Sequence, residues 1–492
     1  MHDKGQRKLD STEQFIKGFV MEKLEFYIDG KWGKPVHADT LNVINPATEE
    51  AVATISLGNS DDVNRAVSAA RRAFEAYAQT PVKQRIDLLT TIREIYKRRV
   101  DDVADAIQAE MGAPSYLAKG AQAMVGLAHL KAAIRSLSSH EFEYKHGEFI
   151  IRHEPIGVCG LITPWNWPVN QVVSKLAPCL ASGCTAILKP SEIAPLSSLV
   201  IAEILDEAKV PAGVFNLVNG MGPVVGEAMS AHPDIDMMSF TGSTRGGVAV
   251  AKASAESVKR VSQELGGKSA NIILDDDELE TSISKGVNLC MNNTGQSCNA
   301  PTRMLIPANR KEQAYAIAKK TAESVVVGDP KNDDTVIGPL VSDIQFEKVQ
   351  NLIETGIEQG ATLLAGGPGK PDGLNRGYFA KPTVFGDVRN DMTIAREEIF
   401  GPVLSMITYD SIDEAVSIAN DTDYGLAAYV SGQDKHELTS IARRLRAGQV
   451  HINYGSGGAD APFGGYKQSG NGREKAEWGL EEFLEVKAIL GA

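Results

Sequence analysis

The chain has 492 residues, of which 43% are hydrophobic and 23% charged, and its net charge is −13. That length exceeds what one hydrophobic core supports and points to two or three domains of ordinary folded composition, not to a fibrous or disordered chain. The negative balance argues against nucleic acid or an anionic membrane surface as a partner, and no run approaches the roughly 18 apolar residues of a spanning helix.

Residues 1–20 are charged and polar, lack the apolar core of a signal peptide and precede a second methionine, Met21, so they read as a flexible N-terminal extension. The five cysteines, Cys159, Cys179, Cys184, Cys290 and Cys298, form no CxxC pair and no regular framework, which fits a reducing, cytoplasmic location. Residues 26–32 (FYIDGKW) predict a hairpin turning at Asp29 and Gly30. Helical spacing of apolar residues follows over 61–79 and again over 83–111.

From Gly157 the texture changes. Short apolar runs at 157–162, 185–189, 214–218, 237–240 and 270–274 alternate with helical stretches at 170–180, 195–208, 223–230 and 244–255. This alternation predicts a parallel sheet covered on both faces, with ligands bound beyond the carboxyl ends of its strands. The second half repeats the pattern with a strand at 304–308, helices over 311–325 and 345–359, and the run ATLLAGG at 361–367, which predicts a second α/β domain. Two stretches fit neither domain. Residues 141–155 alternate like a hairpin centred on His146 and Gly147, and 483–490 form a strand-like tail; unpaired edges on both would point to subunit pairing.

Several short segments carry chemistry. In GQSCN (295–299), Cys298 sits among small and polar residues after Asn292 and Asn293. On the pentapeptide alone, a poised nucleophile and a semi-buried structural cysteine weigh equally. Glu264 ends a strand-like run and leads into Gly266 and Gly267, which allow close backbone approach; it reads as a surface carboxylate or as a base for activating water. Asn166 lies between Pro164 and Pro168 in a rigid, aromatic turn, where its amide could donate to an oxyanion. FTGST (240–244) joins a strand to a helix N-terminus, where backbone amides favour a phosphate, and a second glycine turn surrounds Gly222. Lys189 and Glu192 in KPSE also follow a strand and could hold ribose hydroxyls.

The order PWNWP (164–168), KPSE (189–192), FTGST, ELGGKS (264–269), GQSCN, EEIFGPV (397–403) and PFGGYKQSG (462–470) resembles the aldehyde dehydrogenase superfamily, from about residue 25 onward. The resemblance implies an α/β protein with a Rossmann-like nucleotide-binding domain (21–140 and 152–263), a second α/β catalytic domain (264–470) and a small β bridging element for oligomerisation (141–151 and 471–492). It implies Cys298 as nucleophile, Glu264 as general base, and Asn166 with the Cys298 backbone amide as oxyanion hole. Cofactor contacts would come from Ile162, Thr163, Trp165, Lys189, Ser191, Glu192, Gly222, Phe240, Gly242, Ser243, Glu398 and Phe400. Lys175 and Glu474 match a proton path proposed in some relatives. The implied enzyme is NAD(P)-dependent and hydrolytic, uses no metal, acts on a small-molecule aldehyde and assembles as a homodimer or homotetramer. NAD is favoured over NADP because Glu192 would repel a 2′-phosphate. The alternatives are a CoA-acylating semialdehyde dehydrogenase and a non-catalytic structural relative. Where many relatives place aromatic residues, 453–461 reads NYGSGGADA, and Gln171, Ser297 and Asn299 are polar, which points to a polar or bulky aldehyde.

Overall fold

Four sheets organise the computed structural model, which describes residues 20–37 and 39–491. The extension read from residues 1–20 lies outside the described residues except for Val20. The first sheet has eight strands in the order Gly470–Asn471, Arg260–Glu264, Met237–Thr241, Val158–Ile162, Thr185–Lys189, Phe215–Leu217, Phe26–Ile28 and Lys31–Gly33. Its five central strands run parallel, with antiparallel partners at both edges. Every residue of Val158–Ile162, Thr185–Lys189 and Met237–Thr241 is buried, as expected of strands with helices on both faces. The Pro168–Ser182 helix starts on a proline, whose missing N–H costs nothing in a first turn, and stops at Gly183 in the left-handed region (φ 98). Ile162, Lys189, Thr241 and Glu264 end adjoining parallel strands, so the segments that follow them gather at one edge of the sheet.

The second sheet has seven strands in the order Thr362–Ala365, Thr383–Gly386, Val403–Tyr409, Arg303–Pro307, Ala270–Ile273, Ala427–Ser431 and Gln449–Ile452. The run at 270–274, grouped by its texture with the strands of the first sheet, belongs here, on the second-domain side of the division drawn at residue 264. Only residues 265–269 separate Glu264 from Ala270. A parallel neighbour in the same sheet needs a crossover of a dozen or more residues, so the chain must change sheets at this point.

The hairpin strands Glu143–His146 and Phe149–Pro155 form a three-stranded sheet with the tail Leu484–Leu490, which pairs along its length from Leu484 opposite Pro155 to Leu490 opposite Phe149. One edge of the tail, expected to lie unpaired, is therefore satisfied within its own chain. The Phe149–Pro155 strand runs past the division drawn at residue 151. Before the tail, Gly470–Asn471 joins the first sheet, and the Ala476–Glu482 helix packs on the Met124–Ser139 and Pro168–Ser182 helices. The remaining sheet holds Met21–Lys23, Glu50–Ser56 and Thr40–Asn45.

The single helix expected over 83–111 is two, Val82–Arg98 and Val100–Met111. They part at Arg99, whose guanidinium is held by Asp102 at 2.8 Å and by Glu203 at 2.7 Å. The helix expected over 223–230 begins as the wide turn Gly222–Gly226 before Glu227–Ala231. No helix among the described residues is long and apolar enough to cross a membrane.

Candidate active site

The GQSCN segment is fixed from several sides. Asn293, Thr294 and Gly295 all take positive φ (54, 57 and 70°), a concentration of left-handed backbone of the kind retained at functional sites. A β-carbon on Gly295 would lie 2.0 Å from the Gly401 carbonyl oxygen, so only glycine lets these two loops meet. Gln296 is fully buried; its side-chain oxygen accepts from the Val341 backbone N–H at 2.9 Å. Its carbonyl accepts from the side-chain amides of Asn166 at 3.0 Å and Asn293 at 3.2 Å. The Trp167 indole N–H donates to the Ser297 hydroxyl at 2.8 Å. The rigid PWNWP turn and the cysteine loop are thus locked together, and Cys298 is partly exposed beside them.

Gly266 and Gly267 complete this junction. A β-carbon on Gly267 would meet the Cys298 carbonyl oxygen at 2.3 Å, and one on Gly266 would meet the Glu398 carboxylate at 2.6 Å. The Gly267 N–H donates to Glu398 Oε1 at 2.9 Å. Burial pushes the Cys298 thiol well above its usual range, and the charges of Glu398 and Glu264 push it further.

Glu264, the last residue of its strand, is 2% exposed, and neither carboxylate oxygen has a hydrogen-bond partner among the described residues. Burial raises its pKa, and the nearby Glu474 raises it further, opposed by Lys175 and Arg473. Lys175 and Glu474 form a buried ion pair behind it.

Cys298, Asn166, Trp165, Gly242, Ser243, Glu398 and Phe400 line one cleft of 270 Å³, together with Thr241, Leu265 and Gln171. Phe400 has a positive φ of 60°, and its ring meets the edge of Trp165 at 5.4 Å between centroids. Ser243 caps the Thr244–Ser254 helix by accepting the Gly246 N–H. The other cofactor candidates follow along the strand ends. Phe240 lies opposite Ile162, Ile162 opposite Lys189, and the Thr163 N–H donates to the Lys189 carbonyl at 3.1 Å. Lys189 is buried and pairs with the partly exposed Glu192 at 2.9 Å. The Ser191 hydroxyl accepts the Ile193 N–H at 3.3 Å. Gly222 stands apart from the cleft lining, with nothing within 4 Å of where its β-carbon would be.

These residues fit a dinucleotide. The buried Thr241 hydroxyl lacks a partner among the described residues beside an anion-favouring helix start. A β-carbon on Gly226 would meet only Ile162 at 3.5 Å and Lys189 at 4.0 Å, which leaves a shallow slot along the strand ends.

Two lining residues, Gln345 and Lys348, were not found in the sequence. Both lie on the Asp343–Glu358 helix; Gln345 donates to the Phe400 carbonyl at 2.8 Å and Lys348 to the Glu398 carbonyl at 2.8 Å. They carry no local motif, since what they hold is a loop about fifty residues further along.

A family model for the aldehyde dehydrogenase family matches residues 32–489. The 3-succinoylsemialdehyde-pyridine dehydrogenase of a Pseudomonas species is 54% identical over 468 residues, covering 95% of this chain and 98% of that protein. A mutant aldehyde dehydrogenase C from Pseudomonas syringae, solved with NAD+ and octanal, superposes with a TM-score of 0.94 at 52% identity, over 95% of this chain and 96% of that one. The NAD+ complex of a Mycobacterium tuberculosis aldehyde dehydrogenase gives 0.93 at 38% identity, over 96% and 99%. With matching motifs, fold and cleft, the chain belongs to the aldehyde dehydrogenase family.

Proposed function

We propose that this enzyme oxidises an aldehyde to its carboxylic acid with NAD, by way of a thioester on Cys298 that water then hydrolyses. The observation that carries this reading is the convergence of Cys298, Asn166 and Glu398 on one cleft, with the charge of Glu264 bearing on the same thiol.

In this reading the Cys298 thiol gives up its proton to water in the cleft, and Sγ attacks the carbonyl carbon as the thiolate. One Asn166 N–H is occupied by the Gln296 carbonyl, which fixes the amide plane and leaves its second N–H to receive the developing oxyanion. The Cys298 backbone N–H is the second donor, and removing one such donor typically costs about 10²- to 10³-fold in rate. Bound NAD supplies the hydride acceptor. Glu398 and Phe400 would hold its nicotinamide ribose and ring, Ser243 its pyrophosphate, and Lys189 and Glu192 its adenosine ribose. Glu264 then takes a proton from the water that attacks the thioester. A carboxylate whose pKa is raised by burial is a stronger base than an exposed one. Its unpartnered oxygens favour hydrolysis over transfer to CoA, which needs no such base.

Glu192 favours a free 2′-hydroxyl, so NAD is preferred to NADP. The polar Gln171 and the glycine-rich 453–461 stretch favour a polar or bulky aldehyde. A cytoplasmic homodimer or homotetramer completes the reading. The direct test is Cys298→Ala. Aldehyde-dependent NADH formation should fall by at least about a thousandfold, with the circular dichroism spectrum and NAD binding retained and no rescue by CoA. Turnover within tenfold of wild type would overturn the assignment.

A further inference from the structure

Lys475 has φ 76 and ψ 148, a backbone conformation that residues other than glycine avoid, just before the Ala476–Glu482 helix. Such strain persists where surroundings impose it, commonly at functional sites. Here the side chain is half-buried. The ammonium stands 4.8 Å from the centroid of the Phe463 ring and donates to the Gly458 carbonyl at 3.2 Å. It forms no ion pair among the described residues, because the adjacent Glu474 is committed to Lys175. Its charge bears on Glu474, Cys298 and Glu264 on one side, and on His129 and His451 on another. His451 is tied to the nucleophile loop: it stacks on Tyr429 at 4.6 Å, and the Tyr429 hydroxyl donates to the Asn299 carbonyl at 2.9 Å. Its Nε2 is buried without a partner among the described residues.

Two further cations, Lys131 and Arg135, lie on the Met124–Ser139 helix, and Arg135 pairs at 2.6 Å with Asp460 of the glycine-rich loop; burial lowers the His129 pKa to about 4, so that imidazole is neutral. Asp460 and Glu477 are the opposing acids there. Glu398, Glu264 and Glu474 set negative charge around Cys298, and Lys475 brings to the same region a positive charge with no ion-pair partner among the described residues.

We propose that Lys475 determines substrate specificity by receiving an anionic group at the far end of the aldehyde, so that the preferred substrates are short oxo-acids carrying both an aldehyde and a carboxylate. This deepens the reading of Cys298 as nucleophile and rests on it. A half-buried ammonium without a carboxylate partner gains from acquiring one, and a substrate carboxylate supplies that partner in a charge-assisted hydrogen bond. The ring of Phe463 holds the cation by its face without neutralising it. The Asn170 side-chain oxygen accepts from the His129 ring Nε2–H at 2.8 Å, which orients that imidazole.

The test compares 5-oxopentanoate with pentanal, which have the same chain length and differ in the terminal carboxylate. Wild type should favour 5-oxopentanoate in kcat/KM. In Lys475→Met that preference should fall by about 10- to 100-fold, the range expected for a hydrogen bond to a charged group, mainly through the KM of the oxo-acid. Lys475→Arg should restore much of it. A preference unchanged in Lys475→Met, or an equal loss for both substrates, would overturn the assignment. Protection of Cys298 from iodoacetamide by glutarate gives a readout independent of turnover. Protection in wild type that is lost in Lys475→Met supports the site, and equal protection in both proteins refutes it. Failure of every aldehyde to yield NADH would instead count against the dehydrogenase reading.

Discussion

Lys175 and Glu474 face each other as an ion pair closed to solvent, with side chains 1% and 8% exposed, and the Ser174 hydroxyl donates to the second Glu474 oxygen at 3.2 Å. Because Glu474 is the main charge raising the Glu264 pKa and Lys175 opposes it, the two partners should move that group in opposite directions when removed. Glu474→Gln removes a negative neighbour, so Glu264 loses its proton more readily and the acid limb of the kcat–pH profile shifts to lower pH. Lys175→Met leaves the Glu474 charge uncompensated and shifts the same limb to higher pH. Each should also cost about 3–5 kcal/mol of stability by leaving a buried charge unpaired, measurable by denaturant unfolding. Shifts of equal sign would show that the pair does not act on the base.

Glu264→Gln should block release of the acid more than formation of the thioester. Rapid mixing is expected to retain a burst of NADH close to one per Cys298 while steady-state turnover falls by at least about a hundredfold. Loss of burst and steady state in equal proportion would point to another base.

Glu192→Ser should raise the use of NADP relative to NAD, since it removes the carboxylate that Lys189 holds at the strand end. The measurement is the ratio of kcat/KM for the two cofactors, with a gain of about tenfold or more expected from relieving one charge repulsion. An unchanged ratio would mean that Glu192 does not read the ribose.

The third sheet leads to a prediction about assembly. Its tail strand exposes Val486 and Leu490 at 68% and 77%, and an apolar outer strand invites pairing with a second copy. Light scattering at micromolar concentration should give a dimer or tetramer. Deletion of 484–492 should cause aggregation, because it uncovers the edge of Phe149–Pro155. A stable, active monomer of the full chain would contradict this.

The buried parallel strands were legible because a strand covered on both faces must be apolar along its length, as in Thr185–Lys189. Cys298, Asn166 and Glu398 were legible through short motifs that the cleft brings together. Membership of a sheet was harder to read: residues 270–274 resemble any other buried strand, and only the shortness of 265–269 separates them from the first sheet. Residues whose contacts lie far off in the chain left no local trace. Lys348 meets Glu398 across fifty residues, and Lys475 takes a backbone angle that composition does not encode. The break at Arg99 was likewise hidden, since its partner Glu203 sits on a helix a hundred residues later.

Burial and the carboxylates of Glu398 and Glu264 all disfavour the Cys298 thiolate, so the resting side chain is held as a thiol. Peroxide reacts far faster with thiolates than with protonated sulfur. The surroundings that make this cysteine a reluctant nucleophile at rest therefore also slow its oxidation to sulfenic and sulfinic acid.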